Sequence, residues 1–263
     1  MTHPPIPPVP PDWWRSLFDE VYLQTDARSI QDADLTRREV DQVIQTLDLG
    51  QEESILDLCG GQGRHALEMA RRGYGRVLVL DFSQPLLSQG RAQARREGRA
   101  VAFVRGDARS LPFGEGIFHA VLCLANSFGY GATRGDDLQI LKEVYRLLPP
   151  GGRLFLEVAD PGYVRGHLPP QSWHEAPGDL VVCRRRWLTP EHLICREIVL
   201  SRGRGLIRDR TYQVRLYESE DLKLSLGEAG FARVLVIQGG EPQSRPEERG
   251  ALSRRLAVTA WKE

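Results

Sequence analysis

Between Ser54 and Ala66 the chain reads Ser-Ile-Leu-Asp-Leu-Cys-Gly-Gly-Gln-Gly-Arg-His-Ala: a short apolar run, a cluster of glycines, then a helical pattern. The run has the length and composition of a buried strand. Glycines at its end let the backbone turn tightly and lie against a ligand, where a side chain would clash. The helix expected over Arg64–Arg72 points Leu67 and Ala70 inward.

The alternation continues on both sides. Upstream, a helix is expected from about Asp12, with Trp13, Leu17 and Val21 on one face, and a second over roughly Thr36 to Leu47. Downstream come a strand at Val77–Leu80, a helix from an N-cap at Ser83 to about Glu97, and a strand at Val101–Val104. A fourth strand falls at Phe118–Leu122. The helix Asp136–Leu148 carries Leu138, Leu141 and Val144 at helical spacing and stops at Pro149-Pro150-Gly151-Gly152, before a strand at Arg153–Val158. Short apolar strands alternating with helices imply a parallel sheet covered on both faces. After Asp160 the pattern breaks. Leu180–Trp187, Leu193–Leu200 and Thr211–Tyr217 are β-rich, with turn residues between them, and read as an antiparallel insertion. A helix at Ser219–Ala229 and strands at Val234–Ile237 and Leu256–Ala260 close the chain.

Composition bounds the function classes. At 263 residues, 41% hydrophobic and 27% charged, the chain has globular proportions and the length for one core domain plus an elaboration. Lys+Arg and Asp+Glu both number 35, so the net charge is zero, which ranks electrostatic binding of nucleic acid or of an anionic membrane low. Arg184-Arg185-Arg186 is a short basic run of the kind that forms a solvated face. No apolar run approaches the ~20 residues of a membrane helix. Residues 1–11 read as a flexible Pro-rich lead without the regions of a signal peptide, so a cytoplasmic location is expected. Four cysteines (Cys59, Cys123, Cys183, Cys195) with no Cys-x-x-Cys make neither a disulfide framework nor a zinc site, and no metal is expected. Cys183 and Cys195, equidistant from Thr189-Pro190, are placed to face each other across a hairpin as thiols.

An acid follows the glycines at the end of the next strand. Asp81 lies 20 residues after Gly61, where a carboxylate can accept both hydroxyls of a ribose. The bland alternative is a plain β–α turn with a solvated aspartate; three glycines and a well-placed acid weigh against it. Gly61-Gln-Gly-Arg-His-Ala66 also satisfies G-x-G-x-x-A, the dinucleotide fingerprint. Three features oppose that reading. Asp57 ends the first strand, where a pyrophosphate has no use for negative charge but a positively charged aminoacyl group does. No lysine has a tyrosine four residues before it, and the chain leaves no room for a separate catalytic domain.

At these residues the chain resembles the class I S-adenosylmethionine-dependent methyltransferases, motif by motif over about residues 50–160. Asp57-Leu-Cys-Gly-Gly-Gln-Gly63 resembles the family's acid-x-Gly-x-Gly-x-Gly, with Cys59 where the first glycine stands. Asp81 matches the ribose acid and Gly106-Asp107-Ala108 the adenine-binding pair. Leu122-Cys-Leu-Ala-Asn-Ser-Phe-Gly-Tyr130 resembles the loop after strand four, and Leu148-Pro-Pro-Gly-Gly-Arg-Leu-Phe-Leu156 the helix–Gly-Gly–strand step. The resemblance implies an α/β, Rossmann-like seven-stranded sheet of order 3-2-1-4-5-7-6 with strand seven antiparallel, N-terminal helices and an antiparallel β insertion after strand five. It implies a single domain over 12–263, the insertion over about 161–217 capping the acceptor site, and S-adenosyl-L-methionine as cofactor. The implied cofactor contacts are Asp57, Cys59, Gly60, Gly61, Gly63, Asp81, Phe82, Asp107, Ala108 and Leu124.

Methyl transfer from a sulfonium is an in-line displacement in which positioning does most of the work, so a conspicuous base is not required. The expected acceptor is a small molecule, methylated on nitrogen in preference to oxygen. Tyr22, Asn126, Ser127 and Arg215 are the candidate acceptor-binding residues; Tyr130, His174 and His167 are the candidate catalytic ones, with a surface or structural role the plain alternative for each histidine. No membrane or nucleic-acid partner is expected, and a homo-oligomer stays open. The competing readings are an RNA or protein methyltransferase and a non-catalytic nucleoside-binding module.

Overall fold

The computed structural model describes residues 5–26, 31–238 and 253–263; the first four residues of the Pro-rich lead lie outside it. Two short helices open the chain, α1 (Trp14–Leu17) and α2 (Tyr22–Thr25). The single helix expected from Asp12 is broken at Phe18 because the Asp19 carboxylate accepts the Val21 and Tyr22 N–H groups, starting a new helix instead of continuing the old one. Helix α3 (Ala33–Leu47) begins three residues before the expected start, since Asp32 accepts the Leu35 N–H as its N-cap.

The core alternates as its apolar pattern dictates: β1 (Ile55–Leu58), α4 (Arg64–Arg71), β2 (Val77–Asp81), α5 (Gln84–Arg96), β3 (Ala102–Arg105), β4 (Ala120–Cys123), α6 (Arg134–Leu147) and β5 (Arg153–Ala159). Every residue of β1 and of β4 is buried, as strands covered on both faces require. Ser83 caps α5 through the Leu86 N–H. Thr133 and Asp136 close a reciprocal capping box at the start of α6.

The insertion holds α7 (Pro161–His167) and the strands β6 (Gln171–Ala176), β7 (Leu180–Leu188), β8 (His192–Ser201) and β9 (Gly205–Arg215). Neither α7 nor β6 is evident from the apolar pattern, and β9 begins six residues before the expected Thr211. Register corrects one expectation. Cys183 stands opposite Ile198, and Cys195 opposite Arg186, because the turn is centred past Pro190, with the Thr189 N–H donating to His192 O. Helix α8 (Ser219–Glu228), β10 (Arg233–Gln238) and β11 (Arg255–Trp261) complete the chain.

The large sheet has the order β10-β11-β5-β4-β1-β2-β3, which is 3-2-1-4-5-7-6 in the numbering of the family resembled. Its inner strands are parallel, and β11 is antiparallel to both β5 and β10. The last strand, β11, thus lies between β10 and β5. Two buried clusters cover the sheet. On one face Leu56, Val121, Leu154 and Val258 pack with Leu141 and Val144 of α6 and Leu222 of α8. On the other, Ile55, Val79 and Phe155 pack with Val43 of α3, Leu67 of α4 and Leu87 of α5. The four-stranded sheet β6-β7-β8-β9 is separate. No helix among the described residues is long and apolar enough to cross a membrane.

Candidate active site

A cleft opens beyond the carboxyl ends of β1, β2 and β4, the position at which parallel sheets expose their loops to ligands. Its floor is the turn from β1 into α4. Cys59, Gly61 and Gly63 all have left-handed φ, at 55°, 58° and 71°. Cys59 therefore occupies a conformation that costs an ordinary side chain free energy and that the expected glycine would take without strain. At Gly60 the constraint is space: a Cβ would stand 2.5 Å from the Asp57 carboxyl carbon. Gly63 is required by the core, since a Cβ there would meet Phe103 at 2.8 Å and Val79 at 3.0 Å; it braces the turn from behind and does not line the cleft.

Two carboxylates face this turn. Asp81 accepts the Gly61 N–H at 2.8 Å through one oxygen and the Ser83 N–H at 2.7 Å through the other. Burial pushes its carboxyl up to about 6, against the pull of those amides. Asp57, 1% exposed, is also raised by burial, which outweighs nearby His65 and Arg64. Its Oδ2 has no hydrogen-bond partner among the described residues, an expensive arrangement for a buried acceptor unless a ligand supplies the donor.

At one end of the cleft Phe82 meets Trp14 edge-on at 4.9 Å, with the Arg15 and Arg105 guanidiniums over its ring. Asp107 is gripped by Arg109 at 2.7 Å, which holds its carboxyl below the usual range, and Ala108 lies beside it. At the other end Phe18, Tyr22 and Tyr130 form an aromatic wall, Phe18 lying 5.0 Å from Tyr22 and 5.8 Å from Tyr130. Burial pushes both phenols well above their ordinary value. Residues 13–26 thus form a strap across the cleft. It is fastened by the Ser83 hydroxyl donating to Phe18 O at 2.5 Å and by ion pairs from the insertion, Arg208 to Asp19 and Arg184 to Asp26 at 2.9 Å.

Residues 55–152 match a family model described as a methyltransferase domain. They form a class I S-adenosylmethionine-dependent methyltransferase domain. Among curated proteins, the demethylmenaquinone methyltransferase of Lactococcus lactis is 38% identical over 105 residues, 38% of this chain and 40% of that one. The chain thus spans about two fifths of the length of that relative. A crystal structure of an S-adenosylmethionine-dependent methyltransferase from Clostridium acetobutylicum superposes with a TM-score of 0.71 at 16% identity, covering 92% of this chain and 96% of that one. The 1,6-didemethyltoxoflavin-N1-methyltransferase of Burkholderia thailandensis, solved with its substrate and S-adenosylhomocysteine, gives a TM-score of 0.60 at 20% identity over 98% and 92%. At those identities the likeness is one of fold.

Of the residues singled out from the sequence, the cleft gathers Tyr22, Asp57, Cys59, Gly60, Gly61, Asp81, Phe82, Asp107, Ala108, Leu124, Ser127 and Tyr130. The others stand elsewhere. Asn126 turns its carbonyl oxygen to the Ala159 N–H at 2.8 Å. Arg215, 4% exposed, is neither solvated nor in the cleft; it pairs with buried Asp137. His174 bonds Thr25 O at 3.0 Å, and His167 stacks on Tyr163 at 5.0 Å. Trp14 and Phe18 line the cleft without having been singled out from the sequence, and so do Arg64, expected only to brace the loop, and His65, expected to be structural. Trp14, Phe18 and Tyr22 recur every four residues, a signal present in the sequence. Arg64 and His65 are braced by Glu39, at 2.5 and 2.9 Å. Burial would raise Glu39, but His65, Arg255 and Arg64 hold it well below the usual carboxylate range.

Proposed function

We propose that this chain transfers a methyl group from S-adenosylmethionine to a small-molecule acceptor, on nitrogen in preference to oxygen. The observation that carries the reading is the pair of buried carboxylates at the glycine turn. Asp81, held by two backbone N–H groups, is set to receive the ribose hydroxyls. The unpartnered Asp57 oxygen is set to receive the ammonium of the aminoacyl end. Asp107, Ala108, Phe82 and Trp14 suit an adenine, and Arg64 and His65 a carboxylate. These residues fit the cofactor. When bound, it supplies an electrophilic methyl group on a sulfonium.

What the chain's own residues then do is position and desolvate. The strap excludes water, so an acceptor held between the aromatic wall and Leu124 meets the methyl group in a dry chamber. Holding the two partners in line contributes up to about 7–11 kcal/mol. The preference for nitrogen is supported by the two phenols there. Raised by burial, Tyr22 and Tyr130 keep their protons and are poor bases for an alcohol or a quinol, whereas a neutral amine needs none. We take residues 12–263 as one functional unit, with about 161–217 as its acceptor-side elaboration. Supporting this, β11 returns to pair with β5, from which the insertion departs.

The test is calorimetric titration with S-adenosylmethionine, S-adenosylhomocysteine and NAD, followed by transfer of a tritiated methyl group to a panel of amines, alcohols and quinols. Binding of the first two ligands and labelling of an amine are expected. Binding of NAD alone would overturn the cofactor assignment. Labelling of a quinol carbon in place of any amine would overturn the acceptor class.

A further inference from the structure

The loop that follows β4 lines the acceptor side of the cleft with Ser127, Phe128 and Tyr130. It is an uneasy piece of backbone: Ala125 and Asn126, neither of them glycine, are both left-handed, at φ 55° and 62°. Such a stretch persists only where its surroundings over-determine it. Here each end is held by a buried carboxylate that accepts a loop N–H and is itself paired with an arginine, Arg215 buried and Arg255 half-buried. At the start, Glu157 on β5 accepts the Ala125 N–H at 3.0 Å and pairs with Arg255 of β11 at 2.6 Å. At the finish, Asp137 on α6 accepts the Gly131 N–H at 3.1 Å and pairs with Arg215 of β9. The Tyr217 hydroxyl donates to the same Asp137 carboxylate at 2.7 Å, and the Arg215 N–H donates to Gly129 O at 2.8 Å.

We infer that residues 125–131 are a wall clamped at both ends, and that the Asp137–Arg215 pair is the link by which the β insertion sets the acceptor's line of approach. Arg215 is then a positioning residue, acting through the loop and not touching the acceptor. That role rests on the methyl-transfer reading; the clamp itself does not. The same geometry explains why an arginine at the end of the insertion is buried when its sequence context suggests a solvated one. It ties the finish of the loop to β9, as Arg255 ties the start to β11.

Asp137→Asn and Glu157→Gln separate the two ends, since each retains an oxygen but loses the charge that holds its arginine. Amide hydrogen exchange is measured by NMR in the free protein and with S-adenosylhomocysteine. Asp137→Asn is expected to speed exchange at Gly131 at least tenfold and leave Ala125 unchanged. Glu157→Gln is expected to do the reverse, by at least threefold. With the amine labelled best in the panel, Asp137→Asn should lower kcat tenfold or more while acceptor KM and S-adenosylhomocysteine affinity move less than threefold. If Asp137→Asn does not fold, Arg215→Lys replaces it, with the same signs. Unchanged exchange at both amides would overturn the clamp; cofactor affinity falling in step with kcat would overturn the positioning role. The exchange readout needs no turnover, so failure of the methyl-transfer reading would show separately, in the wild-type titration.

Discussion

Gly60 sits directly against the carboxyl group of Asp57, so close that a Cβ on residue 60 would stand 2.5 Å from Asp57 Cγ. The turn is thus closed around a buried carboxylate whose Oδ2 has no partner among the described residues. Asp57→Asn keeps the shape and removes the charge. The free protein is expected to melt a few degrees higher, because burying a carboxylate with one oxygen unpartnered opposes folding, while cofactor affinity falls by about 1.5–3 kcal/mol, the range for a hydrogen bond to a charged group. Melting curves with and without S-adenosylmethionine check both signs at once. Gly60→Ala, which pushes the carboxylate aside, should weaken binding without the stabilisation.

A pH dependence follows from Asp81. Its carboxyl is pushed up to about 6 by burial, whereas in the unfolded chain it titrates near 4. Between those values the native state binds more protons than the unfolded one, so this group's contribution to the stability of the free protein falls as pH rises through the window. Ribose hydroxyls donate to the ionised form, so cofactor affinity should rise as pH rises through about 6. S-adenosylhomocysteine is expected to bind roughly tenfold more weakly at pH 5 than at pH 7.5, where the carboxylate is almost fully ionised. Calorimetry across that range decides it. A flat profile would mean that Asp81 does not hold the ribose.

Cys59 carries a test of backbone strain. At φ 55° a glycine is unstrained, and a β-branched residue is strongly disfavoured. Cys59→Gly should leave cofactor affinity within threefold of wild type and change stability little, the relief of strain offsetting the lost packing against Cys123's side of the core. Cys59→Val should destabilise by about 1–2 kcal/mol and impair binding. Denaturant titration of the pair gives the comparison.

The strap depends on Asp19, whose carboxylate accepts the Val21 and Tyr22 N–H groups at the entry to α2 and pairs with Arg208. Asp19→Ala removes both, at a cost of about 1 kcal/mol for the backbone hydrogen bonds alone. Because Trp14, Phe18 and Tyr22 roof the cleft, the expected signature is kinetic. S-adenosylhomocysteine should dissociate several-fold faster in stopped-flow fluorescence, with its association rate changed less.

Most of the fold was legible in the sequence because its signals are local. Buried parallel strands are continuous apolar runs, so β1, β4 and β5 stand out. Ser83 and Asp81 are placed by the turns they terminate. Strand β6 was not legible: its sequence Gln-Ser-Trp-His-Glu-Ala has no apolar run, and it is an edge strand held by register with β7. The break in the first helix was missed for a different reason. Helical spacing of Trp13, Leu17 and Val21 is real, but the Asp19 side chain competes for the backbone amides.

By itself the sequence determined the alternation of strands and helices in the core, the glycine turn and the acids that face it, because those follow from periodicity and from residues a few positions apart. Only the tertiary structure decided which polar residues work in the cleft and which brace it. Arg215, Asn126 and Glu157 look like surface or ligand-binding residues in one dimension. They become clamps because partners 78, 33 and 32 residues away in the chain are buried beside them. A buried charge or amide must find its partner in space, and nothing local in the chain encodes which partner that is.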